Sequence, residues 1–345
     1  MVSIFKIVTM ASAVEEKVVN IFTDHFFDSG KVKVDGSTLR CWKSGGHGDQ
    51  TFLEVLQNSC NPGFVKLGQL LGKERLFSYI HKFGFGEKSG VDLSGEGKGI
   101  LFPLNRVGNV ELATTAFGQG ISVTPIQQVM AVSTVVNGGY LYEPYIVKSI
   151  SDNTNTIIQE QSPTLRRKVI SSETSAIMRI ALENVVAKGG GKSAYIEGYR
   201  IGGKTGTAQK SEKGVYLVNN YIMSFMSVVP SNNPEAVLYL AIDNPKHTAM
   251  LSSYTTTPIA RRILLDIITA LKIPKQEDAI EKDLEWNDKI TYPVPNVIGM
   301  SLTDAKKQLF NFEIITEGEG DIVFEQYPKA GEILEDRSKV RIILK

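Results

Sequence analysis

Residues 3–20 (SIFKIVTMASAVEEKVVN) set Ile4, Ile7, Val8, Ala11, Val14 and Val18 at steps of three and four, which predicts one amphipathic, largely buried helix. The period then changes. In KVKVDGSTLRCW, Val32 and Val34 face Thr38 to Trp42 across Asp35-Gly36, a two-residue turn signal, so a β-hairpin is expected. The glycine-rich stretch KSGGHGDQ leads into a second helix (TFLEVLQNS), expected to break at Pro62 before FVKLGQLLG resumes helical spacing. Residues 85–110 read as Gly-rich loop. TPIQQVMAVSTVV at 124–136 reads as an apolar helix, with proline at its start and Asn137-Gly138-Gly139 at its stop.

Strand-like runs and the helix SSETSAIMRIALENVVAKG come next. YRIGGKTGTAQ, NNYIMSFMSVVPS and AVLYLAIDNPK then follow as expected strands of one sheet, before the helix TPIARRILLDIITALK. Residues 273–290 are charged and unpatterned, as in a linker. From 291 the chain has its own signals: a strand at VPNVIG, a helix at SLTDAKKQL and two strands ending in VRIILK. The pattern predicts an α/β fold, with an antiparallel sheet covered by helices and an all-helical part packed against it. A separate small α+β module would occupy 291–345 after a main domain of 1–272.

Composition narrows the class. The chain has 345 residues, a formal charge of +1, 42% apolar and 22% charged residues, an ordinary globular mix that excludes disordered and fibrous chains. Near-zero charge argues against nucleic acid as a partner. No apolar run approaches the ~18–20 residues of a membrane span, and no signal-peptide pattern opens the chain, so as written it reads as soluble. The two cysteines, Cys41 and Cys60, are too few for a disulfide scaffold.

Three motifs change the picture: Ser3-Ile4-Phe5-Lys6, Ser59-Cys60-Asn61 and Lys204-Thr205-Gly206-Thr207. Singly, each is common: an N-capping serine, an Asn-Pro turn, a strand-end turn. Jointly and in this order they match the S-x-x-K, S-x-N, K-T-G set of serine acyl-transfer enzymes. A spacing of three puts Ser3 and Lys6 one helical turn apart, so an amine can reach the hydroxyl. Lys6 serves as a base only if burial and a second ammonium, Lys204, pull its pKa toward neutrality. Ser59, at a helix break, could relay a proton. Asn61 offers donor and acceptor without titrating. Gly206 would clear space for a substrate backbone beside the strand, and the hydroxyls of Thr205 and Thr207 could bind a carboxylate.

With these motifs, and with FGQGISVTPIQQ, NGGYLYEPYIV, GGKTGTAQ and FMSVVPSNNPEAVLYLAIDNPK, residues 3–272 resemble the transpeptidase domain of class B penicillin-binding proteins. Residues 291–345 look like one PASTA module. The combination is closest to the sporulation-specific type of that family. The resemblance implies the penicillin-binding-protein/β-lactamase-like fold and D,D-transpeptidation of peptidoglycan stem peptides without a required cofactor. It implies Ser3 as acylated nucleophile, Lys6 as base, Ser59 and Asn61 as relay and substrate contact, and Lys204 as electrostatic partner. The oxyanion donors would be the backbone N–H groups of Ser3 and Thr207. It also implies covalent inhibition by β-lactams, a membrane glycosyltransferase partner and work on the extracytoplasmic face of the membrane. Members carry Pro-Gly where Met1-Val2 stand here, and their anchor, pedestal domain and first sheet strands are expected upstream of this chain. A non-catalytic penicillin-recognising receptor or scaffold is the alternative. A β-lactamase is disfavoured, because no deacylating Glu is identifiable.

A structural zinc site is a further candidate. Cys41, His47 and Asp49 in CWKSGGHGD carry thiolate, imidazole and carboxylate, all zinc ligands, and glycines let the loop curl. The Asp24-His25-Asp28 side of the hairpin or Cys60 could supply a fourth ligand. A Cys41–Cys60 disulfide is the other use of the thiols. His81 and His247 read as surface or structural residues.

Overall fold

The computed structural model describes residues 3–212, 215–245, 252–282, 291–335 and 337–345, so His247 and residues 283–290 of the expected linker lie outside the described residues. The chain divides into two compact units: residues up to 283 without the loop 42–46, and that loop with residues 284–345.

In the first unit, α1 (Lys6–Glu15) is shorter than its periodicity predicts. Ser3 to Phe5 form the turn that leads into it, with the Ile7 N–H donating to the Ile4 carbonyl. At its end, the Lys17 N–H donates to Val14 and the Val18 N–H to Ala13, the paired bonds of a Schellman turn. Lys17, at φ 54°, occupies the position glycine usually takes. The apolar spacing runs on past the stop because the following chain is itself buried at Val19 and Ile21.

Four short strands follow, β1 (His25–Asp28), β2 (Lys31–Val34), β3 (Ser37–Arg40) and β4 (Gly48–Thr51). β2 and β3 form the expected hairpin, with Asp35 and Gly36 at φ 44° and 79°, the left-handed pair of a type I′ turn. The antiparallel pairing of β1 with β4 had no clear signal in the sequence. α2 (Phe52–Gln57) starts at a capping box in which the Thr51 hydroxyl accepts the Glu54 N–H and the Glu54 carboxylate accepts the Thr51 N–H. It stops in a second Schellman turn: the Ser59 N–H donates to Leu56, the Cys60 N–H to Val55, and Ser59 sits at φ 54°. α3 (Asn61–Lys82) begins at once. The break therefore lies at Ser59 rather than Pro62. The proline stands in the first turn of α3, where its missing N–H has no helical partner to lose.

α4 (Asn109–Ala116) and α5 (Pro125–Val136) follow, the latter capped by Thr124 with Pro125 as its first residue. The strand-like runs become β5 (Tyr140–Tyr142), β6 (Ser149–Ser151), β7 (Ile157–Glu160) and β8 (Leu165–Lys168), paired as β5–β8 and β6–β7. After α6 (Ser172–Ala187), β9 (Gly202–Glu212), β10 (Val215–Val229) and β11 (Ala236–Asp243) form an antiparallel sheet in the order β11–β10–β9, and α7 (Ser252–Leu271) follows. Phe225, Val229, Leu238 and Leu240 pack with Ala260, Leu264 and Ile268 of α7; Met226, Val228, Val237 and Tyr239 join the cluster of α1 to α6. Both faces of β10 are covered, which is why its stretch 221–229 reads as a nearly continuous apolar run. Among the described residues, β9 is an edge strand.

The expected linker does not begin at 273. Ile273 is buried, the Gln276 N–H donates to Gly198, and Arg200 bonds both Glu183 and Asp278. The Ile280 N–H also reaches Glu183, so the chain is held on the first unit to about residue 280.

The second unit contains β12 (Thr291–Pro293), α8 (Leu302–Gln308), β13 (Glu313–Glu317), β14 (Val323–Tyr327), β15 (Ile333–Glu335) and β16 (Lys339–Leu344). β16 pairs parallel with β13 and antiparallel with β14 around a core of Val297, Ala305, Leu309, Val340 and Ile342. VPNVIG is not the expected strand: past β12 it is a loop that sends Val294 and Val297 inward. Among the described residues, no helix is long and apolar enough to cross a membrane.

Candidate active site

The sequence motifs meet around one ammonium. Lys6, on the first turn of α1, is fully buried, and its Nζ bonds the Ser59 carbonyl at 2.7 Å, the Ser59 Oγ at 3.0 Å and the Asn61 Oδ1 at 2.7 Å. These are all three donors of a lysine. The left-handed turn at Ser59 makes this possible, since it turns both oxygens of one residue toward the amine. Asn61 is held from its other side, its Nδ2 donating to the Arg40 carbonyl at 3.1 Å. Ser3 is half-buried on the turn leading into α1, three residues before Lys6.

Burial pulls the Lys6 pKa from its ordinary value to about 8, against a smaller opposing pull from the Cys60 and Cys41 sulfurs. Lys204 on β9 is also fully buried, with its Nζ 3.2 Å from the Thr205 carbonyl. Its pKa lies well below the ordinary value, first by burial and then by the like charge of Lys6. Burial is the main cause at both amines, and the like charge of the neighbouring ammonium works in the same direction.

β9 carries the third motif at the sheet edge. Thr205 and Thr207 are half-buried and alternate with buried Lys204 and Gly206. Gly206 has a different use from the one expected. A Cβ there would lie 2.5 Å from Ser224 Oγ and 3.0 Å from Ile4 Cγ1, so the glycine lets the strand approach the turn that bears Ser3. Ser252, at the start of α7, bonds both the Gly206 carbonyl and the Thr207 hydroxyl. Sequence reasoning missed it, because it lies in a polar run (SSYTTTP) with no motif.

Beside the second motif, Asp28, Cys41, His47 and Cys60 bring one ligating atom each to within 4.8 Å of one another. The His47 Nδ1 is 2.8 Å from Asp28 Oδ2 and 3.4 Å from Cys41 Sγ, and the Cys60 thiol donates to Asp28 Oδ2 at 3.2 Å. Asp28 is fully buried and the His47 side chain is 1% exposed. Burial would raise the Asp28 pKa, but hydrogen bonds from His47, the Gly30 N–H and the thiols hold it below the ordinary value. The hydrogen bond with Cys41, and then burial, raise the pKa of Cys60. Both cysteines are free thiols. Asp49 is not part of the cluster. Strand alternation turns it outward, where it pairs with the exposed His25 at 2.9 Å. Asp28 and Cys60 stand where the sequence reading put Asp49, and His81 is exposed.

The model for the penicillin binding protein transpeptidase domain matches residues 1–265, and that for the PASTA domain matches 292–345. Stage V sporulation protein D of Bacillus subtilis is 54% identical over 343 residues, 99% of this chain and 53% of that protein. Penicillin-binding protein PbpB of Mycolicibacterium smegmatis is 34% identical over 257 residues, 72% of this chain and 39% of that protein. The chain thus spans about half the length, or less, of these curated relatives. Among solved structures, penicillin binding protein 3 of Mycobacterium tuberculosis complexed with ampicillin is 26% identical, with a TM-score of 0.74 over 82% of this chain and 65% of that one. The apo transpeptidase domain of penicillin-binding protein 3 from Burkholderia pseudomallei is 28% identical, with a TM-score of 0.71 over 80% of each chain.

Proposed function

The chain belongs to the penicillin-binding-protein transpeptidase family, and from that membership and the geometry around Lys6 we propose that it is a serine D,D-transpeptidase cross-linking peptidoglycan stem peptides in spore-cortex or cell-wall synthesis. Ser3 gives its proton to Lys6 as it attacks the carbonyl of the penultimate D-Ala. The C–N bond breaks, and terminal D-Ala leaves with a proton relayed through Ser59. An amine of a neighbouring stem then attacks the acyl-enzyme and releases Ser3. The backbone N–H groups of Ser3 and Thr207 receive the oxyanion. β-Lactams enter the same first step and stay bound. The supporting observation is the buried Lys6 amine on Ser59 and Asn61: with a pKa of about 8, roughly a tenth of it is free base at pH 7, against less than about a thousandth at the ordinary value. The substrates lie outside the membrane, so the reading puts the unit on the extracytoplasmic face. Cross-linking consumes glycan strands, so a membrane glycosyltransferase is the working partner. Intact mass after exposure to benzylpenicillin tests the assignment. One adduct on the Ser3 peptide is expected, absent in Ser3→Ala; an adduct that persists in Ser3→Ala overturns it.

A second reading concerns the cluster. We propose that Asp28, Cys41, His47 and Cys60 bind a structural Zn²⁺, one carboxylate, two thiolates and one imidazole being a tetrahedral donor set. Cys60 stands between Ser59 and Asn61, so the ion would fix the second motif without entering the chemistry. Protein purified without chelator should carry about one zinc, and Cys60→Ser or Asp28→Asn should lose it. Less than about a tenth of an equivalent, with melting indifferent to chelator, rejects the site.

A further inference from the structure

Past Ala187, α6 ends in a run of three glycines, 189–191, that is tied back onto its own helix: the Gly189 and Gly191 N–H groups both donate to the Val185 carbonyl. The Gly190 N–H turns elsewhere. It donates, at 3.3 Å, to the carbonyl of Gln57, the last residue of α2 and two before Ser59. Carbonyls at a helix end lack a partner within the helix, so this bond comes from outside or not at all. The Gln57 side chain reaches the same helix, its Nε2 donating to Asn184 Oδ1 at 3.4 Å. Gly189 is buried in the contact: a Cβ there would lie 2.8 Å from the Gln57 carbonyl oxygen, and 3.0 Å from the Gln57 Cα and the Val185 oxygen. Gly191 is nearly as crowded, but by α6 alone, its Cβ meeting Val186 Cγ2 at 3.0 Å and the Val185 oxygen at 3.1 Å. The helix has little room to yield. Glu183, 3% exposed, takes three bonds from Arg200 and one from Ser231 at 2.7 Å. A Cβ at Gly202, where β9 starts, would lie 3.2 Å from Leu182 Cβ. The end of α6 is thus fixed against β9 on one side and rests on α2 on the other.

We infer that Gly189 is a positioning residue for acyl transfer: by letting α6 close on Gln57, it holds the Ser59 turn where both oxygens of that residue meet Lys6. This assignment rests on the transpeptidase reading and adds a residue outside the three motifs. The effect is steric and short in range. The Ser59 carbonyl and hydroxyl lie 2.7 and 3.0 Å from the Lys6 Nζ, so a displacement of Gln57 by a few tenths of an ångström falls on bonds with little slack. A close-packed interior passes such a shift on rather than absorbing it.

Rapid-quench acylation of the full chain by benzylpenicillin, followed up to saturating concentrations, separates two constants: dissociation of the encounter complex and the first-order rate of acylation. In Gly189→Ala the acylation rate should fall about tenfold or more, the scale of a misplaced catalytic group, with the dissociation constant within about twofold. Gly191→Ala adds the same methyl group against α6 alone. It should lower the melting temperature while leaving both constants within about twofold. A merely structural role would instead make the two variants lose melting temperature and acylation in parallel. Should Gly189→Ala fail to fold, Asn184→Ala decides, because it removes the partner of the Gln57 side chain without adding volume. Its acylation rate should fall a few-fold, the scale of one neutral hydrogen bond, again with an unchanged dissociation constant. Equal losses of acylation rate in the two glycine variants, a loss carried by the dissociation constant, or an unchanged rate in Asn184→Ala overturns the inference. Absence of any acylation in the unmodified chain would instead count against the transpeptidase reading.

Discussion

The chain makes one backbone turn twice, with opposite consequences. At Lys17 and at Ser59 a helix stops in a Schellman turn, each with a non-glycine residue at φ 54° and the same pair of backbone bonds. For an L-residue this conformation costs roughly 1–2 kcal/mol. Lys17 is exposed, and among the described residues its side chain makes no hydrogen bond or ion pair. At Ser59 the turn aims a carbonyl and a hydroxyl at Lys6, and the next residue, Cys60, caps α3 and reaches Asp28. The same local turn simply ends a helix in one place and brings two oxygens onto a buried amine in the other. The difference lies in what tertiary structure has put beside it.

Replacing each turn residue by glycine separates the two most widely. Ser59→Gly relaxes the backbone but deletes the hydroxyl that touches Lys6. Acylation by benzylpenicillin should fall by about 10²-fold or more, the scale of losing a positioned proton carrier, without loss of melting temperature. Rapid-quench mass spectrometry measures it. A near-normal rate would put Ser59 in the same class as Lys17, a residue that merely ends a helix.

The pH dependence sharpens the Ser59 side of the comparison. Lys6 must be unprotonated to accept a proton, and its pKa is lowered to about 8. The acylation rate should therefore rise with pH and level off above about 8, falling about tenfold for each unit below it. For stability the sign is the same. The folded pKa lies below the unfolded one, so the unfolded chain binds more protons between about 8 and the ordinary lysine value. The penalty of burying Lys6 is thus full below about 8 and fades as pH rises through that window. A flat rate profile from pH 6 to 9 would remove Lys6 as the base.

What could be read in advance follows the same division. Local devices are legible: the Asp35-Gly36 turn, the proline at the start of α5, and the apolar runs of β10 and β11. The three motifs could be named from spacing, since residue type and order suffice for that. The sequence points to Pro62 as the break whereas the structure puts it at Ser59, because nothing in a serine announces positive φ. Asp49 is the natural choice from sequence because it lies in CWKSGGHGD itself, whereas Asp28 reaches that loop only through the pairing of β1 with β4. The choice was made by the β1–β4 register, which has no local signature. Ser252 was invisible for the same reason, being joined to Gly206 only by the packing of α7 on the sheet.

That register choice can be tested directly. Asp28 is fully buried with His47, Gly30 and both thiols around it, whereas Asp49 pairs with His25 in solvent. Asp28→Asn should cost roughly 2 kcal/mol or more through unpaired buried donors, about 4–8 °C in melting. Asp49→Asn should stay within about 1 °C, as expected of an exposed pair. Equal losses would mean that the pairing of β1 with β4 differs from that described.

The smallest effect belongs to the idle turn. In Lys17→Gly the left-handed strain disappears, while the freer unfolded chain takes back roughly 0.5–1 kcal/mol. The net gain should be a few tenths to about 1 kcal/mol, a rise of about 1–3 °C for a unit of this size. The acylation rate should not move, because Lys17 lies outside every contact of the Lys6 network. Differential scanning calorimetry beside a penicillin acylation assay reads both quantities in one preparation. A stabilised variant with unchanged acylation keeps the two turns distinct. If acylation fell along with Lys17→Gly, α1 would be transmitting the geometry of its far end to Lys6, and the strain at residue 17 would have a use after all.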